Sequence, residues 1–284
     1  MIAQDTESVV EITASAAGVA FGGNGPYNLS KLSALGIAEA LHTELMTAGA
    51  IGKIQVVALC PTITNTNLLQ SGEAATNGQV KAEMARNNDK VSDLTVKMFQ
   101  ARWAKSMTPD WVAQQVLKHV EEEKFYCILS NIEGVNSTYS DNMDARIAQR
   151  YSAMKSRQIA PYLNTETQQL AAMPMDIKKL KDGVAIITGS ATGMGYAMGK
   201  KAKELGMNVV LSDVRQEPLS KAIRTLRMEK GNGRVEGFIC DVTSEESLQA
   251  LLKSTTTAFP GKSIQFIGAN AGVIFTGSTI LSGK

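Results

Sequence analysis

The chain has 284 residues, with 29 Lys and Arg against 27 Asp and Glu, leaving a net charge of +2. Neither sign runs in blocks, so the composition gives no electrostatic case for nucleic acid or an anionic membrane surface. Aromatics are only 5% of the chain, which favours α/β layering over an aromatic-rich all-β sandwich, and no apolar run approaches the roughly 18 residues of a membrane span.

Short β-branched runs alternate with longer helical patterns, the signature of βαβ units and a parallel sheet. The first run is Ser8–Thr13 (SVVEIT), followed by a helix expected over 26–46, where Leu32, Leu35, Ala38, Leu41 and Leu45 recur three and four apart. A strand is expected over 53–59 and stops at Pro61. Residues 68–107 are polar, with helical patches but no clean apolar stripe. Thr108-Pro109-Asp110 then opens a helix to about residue 122, with Thr as N-cap, Pro at the first position and an acid in the first turn. A strand over 125–130 and a helix toward 158 follow. Residues 159–183 have little periodicity and read as a connector. After it the alternation restarts, with strands at 184–188, 208–212, 235–240 and 264–268 and helices at 193–205, 216–229 and 244–258.

The remaining composition is bland. Cys60, Cys127 and Cys240 lie far apart in strand-like runs and read as reduced core thiols. His42 and His119 are the only histidines, each alone on a helical stretch, so neither a zinc cluster nor a Ser-His-Asp triad is expected. The start, MIAQDTESVV, carries two acids and no basic region, unlike a secretory leader. These features point to a soluble, cytoplasmic α/β protein, with no nucleic-acid or membrane partner.

The chemistry-bearing residues fall in two places. The run 184–188 leads directly into Gly189-Ser190-Ala191-Thr192-Gly193-Met194-Gly195. Glycines there permit a tight turn and close backbone approach to a pyrophosphate, and the helix behind them offers unbonded N–H groups and the positive end of a dipole. Asp213 follows Gly195 by 18 residues at the end of the next strand, where a carboxylate can hydrogen-bond a ribose 2′-hydroxyl. That carboxylate repels a 2′-phosphate and favours NAD over NADP, although Arg215, two residues on, is suited to a phosphate. In the other half, Tyr27-Asn-Leu-Ser-Lys31 opens a helix, with Ser15 twelve residues earlier. Tyr27 and Lys31, four apart, share a helix face. An ammonium beside a phenol favours phenolate and brings its pKa down toward neutrality, while Ser15 can hydrogen-bond a substrate carbonyl or alcohol.

The spacing Thr188-Gly189-x-x-x-Gly193-x-Gly195 resembles that of the short-chain dehydrogenase/reductase family. Further matches accumulate. Asp241-Val242 stands where the family has its adenine-contacting Asp-Val, and Ala269-Asn270-Ala271-Gly272 matches Asn-Asn-Ala-Gly with Ala at the first position. Ser15, Tyr27 and Lys31 match the catalytic set. Pro61-Thr-Ile-Thr64-Asn-Thr66 resembles the Pro-Gly-x-x-x-Thr turn near the nicotinamide, with Thr62 in place of Gly. The resemblance implies a doubly wound, Rossmann-type parallel sheet of strand order 3-2-1-4-5-6-7 and an NAD(P)(H)-dependent oxidoreductase interconverting a secondary alcohol and a ketone. By the same resemblance, Tyr27 is the general acid/base, Lys31 its tuner and a ribose ligand, Ser15 the carbonyl stabiliser, and a homo-oligomer (dimer or tetramer) the assembly.

In that family the glycine turn precedes Tyr-x-x-x-Lys; here the order is reversed. Reading 175–284 and then 1–174 restores it, which implies a circular permutation joined near Pro174-Met175. The expected layout is one domain with a catalytic block at 1–66, a substrate lid at 67–106, the last part of the sheet at 107–158, the connector at 159–183 and a dinucleotide block at 184–284. First and last strands of the implied sheet lie four spacings apart, roughly 19 Å at about 4.8 Å per strand spacing. A 25-residue connector spans that easily, reaching roughly 80 Å when extended. The crossover between fourth and fifth strands is short, with only 273–284 and 1–7 to form it, and no Asn there fills the family's relay role. Three origins fit: a permutant with a trimmed crossover, one period of a tandem fusion completed by a neighbour, or an ordinary chain whose two pieces stand transposed with a segment missing between 284 and 1. Rival readings are a dinucleotide-binding protein with weak turnover and an assembly scaffold with a vestigial site.

Overall fold

Among the described residues seven strands, each rich in Val, Ile or Leu, are sequestered on both sides by helices, as parallel strands require. The computed structural model describes residues 1–4, 6–19, 25–50, 52–66, 68, 106–129, 145, 149 and 175–272. Most of the expected lid, the helix toward 158, the connector up to residue 174 and the segment 273–284 lie outside the described residues.

In chain order the elements are β1 (Ser8–Thr13), α1 (Ala16–Val19), α2 (Gly25–Thr47), β2 (Ile54–Pro61), α3 (Pro109–Glu121), β3 (Tyr126–Leu129), a 3-10 turn (Ile177–Leu180), β4 (Val184–Thr188), α4 (Gly193–Glu204), β5 (Asn208–Asp213), α5 (Gln216–Met228), β6 (Val235–Ile239), α6 (Glu245–Ala258) and β7 (Ile264–Ala269). The expected strands and helices that fall within the described residues are present, with ends shifted by a residue or two. The 3-10 turn lies inside what the sequence reads as connector; Asp176 caps it by accepting from the Lys178 N–H. Thr108 caps α3 as anticipated, its hydroxyl accepting from the Trp111 N–H at 3.3 Å.

All seven strands form one parallel sheet in the order β3-β2-β1-β7-β4-β5-β6. Counted from β4 and continuing through β1, this is 3-2-1-4-5-6-7, the order the resemblance implies and the Rossmann-type fold of that family. The central pairing of β1 with β7 joins the two sequence blocks, Val9 opposite Phe266 and Ile12 opposite Ala269.

Side chains alternate between two faces. Val9, Val57, Leu59, Ile187, Leu211 and Phe266 meet the buried sides of α3, α4 and α5, among them Val112, Val116, Met198, Leu219 and Leu226. On the other face Val56, Ala58 and Cys60 pack with Leu35, Ala38 and Leu45 of α2, while Ile186, Val210 and Ile264 meet Leu251 of α6. The three cysteines are buried and form no disulfide among the described residues. Among the described residues no helix is long and apolar enough to cross a membrane.

Candidate functional site

The carboxyl ends of four adjacent strands, β4, β7, β1 and β2, carry Gly189, Asn270, Ser15 and Pro61 respectively. In an open α/β sheet this edge, where strand order reverses, is where ligands bind. The sequence places the two motifs more than 150 residues apart, and the sheet brings them together.

On the glycine side, Gly189 (φ +61°) and Gly193 (φ +64°) occupy the left-handed region, where a Cβ is strained. Close approach fixes Gly195: a Cβ there would lie 2.6 Å from both Asn270 Nδ2 and Gly189 O. The Asn270 amide donates to Thr188 O at 3.0 Å and to Gly189 O at 3.1 Å. The backbone N–H groups of Asn270 and Ala271 both donate to Thr188 Oγ1. Asn270 and Ala271 therefore brace the turn. Thr192 is the N-cap of α4 but its side chain makes no capping bond, so the first turn of the helix keeps amide hydrogens available to a ligand. Met194 is half-buried against the core.

Asp213, almost wholly buried, closes the back of the turn by accepting from the Ala191 N–H at 3.2 Å. Its carboxylate also receives Arg215 through Nε at 3.0 Å and Nη2 at 3.2 Å. Burial pushes this carboxyl up, but the Arg215 and Ala191 hydrogen bonds outweigh burial and hold it below its ordinary value. The exposed Asp241 is tied into its own turn, accepting from the Thr243 N–H at 2.9 Å and hydroxyl at 2.7 Å, and Val242 stands 39% exposed beside it.

On the other side, Ser15 hydrogen-bonds Tyr27 and donates to Pro61 O at 3.5 Å. Lys31 donates to Thr13 O at 3.2 Å, and its Nζ lies 5.9 Å from the centre of the Tyr27 ring. The expected lowering of the Tyr27 pKa is not found: burial raises the phenol, and the Ser15 bond offsets this only in part. Burial likewise lowers Lys31, opposed by the charges of Glu11 and Cys60. The reason is desolvation, which disfavours the charged form of both partners.

Two close approaches link the halves. A Cβ at Gly193 would lie 3.2 Å from the Thr66 side chain, and one at Gly272 would lie 3.7 Å from Lys31 Nζ. Thr64 is buried and pairs with Met107 through an isolated bridge; its hydroxyl has no hydrogen-bond partner among the described residues. The glycine cradle, the uncapped helix start and this orphaned hydroxyl fit a phosphate-bearing ligand such as a dinucleotide.

Glu11 is the residue the sequence reading passes over. It is fully buried in β1 with Thr13 Oγ1 donating to its Oε1 at 2.6 Å, and its carboxyl is pushed up to about 7, chiefly by burial, against the opposing Thr13 bond and Lys31 charge. The available signal is an acid set between Val10 and Ile12 inside a strand run.

Residues 183–282 match the family model for short chain dehydrogenases. A tropinone reductase homolog of Arabidopsis thaliana is 30% identical over 95 residues, 34% of this chain and 35% of that protein. A (+)-cis,cis-nepetalactol synthase of Nepeta racemosa is 34% identical over 98 residues, 34% of each chain. A solved short chain dehydrogenase from Mycobacterium smegmatis has 36% identity over 30% of this chain and 35% of its own, with a TM-score of 0.28. The chain thus spans about a third of the length of the curated relatives it matches.

Proposed function

We propose that this chain, whose dinucleotide block matches the short chain dehydrogenases, is an oxidoreductase interconverting a secondary alcohol and a ketone with NAD(H). The observation that carries this is the meeting of the glycine turn 189–195 with Ser15, Tyr27 and Lys31 on one sheet edge, with Thr66 and Lys31 standing just beyond the space a Cβ would fill at Gly193 and Gly272. The reading takes 175–284 and 1–174 as the two halves of one domain in permuted order, supported by the pairing of β1 with β7.

Gly189, Thr192, Gly193, Met194 and Gly195 would hold the pyrophosphate, Asp213 the adenosine ribose, and Asp241 and Val242 the adenine. Asn270, Ala271, Gly272, Pro61, Thr64, Thr66, Tyr27 and Lys31 would surround the nicotinamide end. A bound nicotinamide supplies or accepts the hydride. Tyr27 Oη exchanges a proton with the substrate oxygen, Ser15 Oγ orients that oxygen, and Lys31 stabilises the phenolate. NAD is preferred because Arg215, the group suited to a 2′-phosphate, is already bound to Asp213.

The test is turnover of the purified chain with NADH and NADPH over a panel of ketones, repeated with Tyr27→Phe. The variant should retain dinucleotide binding and lose at least about 100-fold in kcat, the scale of general acid/base catalysis. Full activity in the variant refutes the catalytic assignment. Failure of the parent to bind either dinucleotide refutes the reading as a whole.

A further inference from the structure

An ionisable side chain inside a parallel sheet is costly unless paired, and Glu11 is half-paired. Its Oε1 accepts from Thr13, while Oε2 is buried with no hydrogen-bond partner among the described residues. Both neighbouring strands present non-ionisable positions opposite it, Val57 on β2 and Gly268 on β7. The titratable groups coupled to it are Lys31, reaching over from α2, and Cys127 on β3, with Cys60 on β2 coupled in turn to both. Lys31 is the one cation among these, and its ammonium is fastened to the backbone oxygen of Thr13, the residue whose hydroxyl holds Glu11.

We propose that Glu11 is the internal counter-charge of Lys31, and through Lys31 a positioning residue that sets the charge presented to Tyr27. This rests on the assignment of Tyr27 and Lys31 in the proposed reaction. With Glu11 ionised, Thr13 donates to Oε1 and the buried negative charge stabilises the Lys31 ammonium. When Glu11 takes a proton from solvent, its new O–H finds Thr13 Oγ1 as acceptor. The Thr13 hydrogen then turns toward Asn270 Oδ1, 3.5 Å away. Lys31 loses its counter-charge while already desolvated, and its proton is more easily lost. The same rearrangement reaches the glycine turn, because Asn270 is bonded to Gly189 O.

The experiment follows Lys31 in the whole chain by NMR with 13C-labelled lysine between pH 5 and 10, its resonance identified by its loss in Lys31→Arg. The parent should show a secondary inflection of the Lys31 signal near pH 7, where Glu11 titrates. In Glu11→Gln, which keeps a hydrogen-bonding amide but no charge, that inflection should vanish and the main Lys31 transition should fall by about one pH unit. The pH profile of kcat/KM should shift in the same variant. An unchanged Lys31 titration with no inflection in the parent overturns the proposal. The parent's inflection needs no variant to fold. Because the NMR titration needs no turnover, a failure of the oxidoreductase reading is seen separately, in Tyr27→Phe.

Discussion

Replacing Glu11 by Gln should make the protein more stable, and only above a definite pH. The Glu11 carboxyl moves from an ordinary 4.5 to about 7 on folding. Between those values the folded chain holds a proton that the unfolded chain has lost, so raising the pH draws the equilibrium toward the unfolded state. The contribution favouring the fold is complete below 4.5 and is lost as pH rises through 7. At about 1.4 kcal/mol per pH unit, the displacement amounts to roughly 3 kcal/mol. Gln carries no such penalty. Its stability relative to the parent should therefore climb between pH 5 and pH 8 by about 2–3 kcal/mol and level off beyond. Titrating groups that do not sense Glu11 are common to both proteins and cancel in the difference. Urea denaturation of both proteins at pH 5, 6, 7 and 8 measures this directly, since the linear dependence on urea gives each free energy. A difference that is flat across the series would refute the account of Glu11 as a buried group charged above neutrality.

Two further outcomes test the dinucleotide side. Gly195→Ala places a methyl 2.6 Å from Asn270 Nδ2 and Gly189 O, so the turn must open. Such overpacking costs about 1–3 kcal/mol. NADH affinity, read by fluorescence titration, should fall at least about tenfold on the same scale, and an unchanged Kd would show that the turn does not hold the cofactor. Asp213→Ser releases Arg215 from its two side-chain bonds. The ratio of kcat/KM with NADH to that with NADPH should then drop by about tenfold or more, as a charge-assisted bond to the 2′-phosphate becomes available; a constant ratio would place the adenosine elsewhere.

What was legible in the sequence was what local pattern encodes. The all-apolar Val184–Ile187 and the turn behind it announce a buried parallel strand and its exit. Thr108-Pro109-Asp110 announces a helix start for reasons confined to one turn. Strand ends shifted by a residue or two because the last residue of a parallel strand is fixed by its partner: Pro61 belongs to β2 through its pairing with Leu129. The sense of the Tyr27 shift was misjudged for a related reason. Adjacency on a helix points only to Lys31, whereas the shift is set by burial, which raises the phenol and comes from everything packed around it, against the Ser15 bond.

Glu11 shows the same division more sharply. In SVVEIT the period of two puts Val9, Glu11 and Thr13 on one face, and nothing in the run itself says whether that face is dry. That face is dry because β7, more than 250 residues away in sequence, pairs with β1 and brings Gly268 beside Glu11. On the side where Glu11 and Thr13 point, α3 and α4 roof the sheet. Neither neighbour is encoded near residue 11. The pairing that buries Glu11 is also the one that sets Ser15 and Lys31 beside Asn270 and the glycine turn, so the cost of a buried carboxylate and the assembly of the site have a single structural cause. A chain in which β1 and β7 failed to pair would expose Glu11 harmlessly and separate Tyr27 from the dinucleotide turn in the same event.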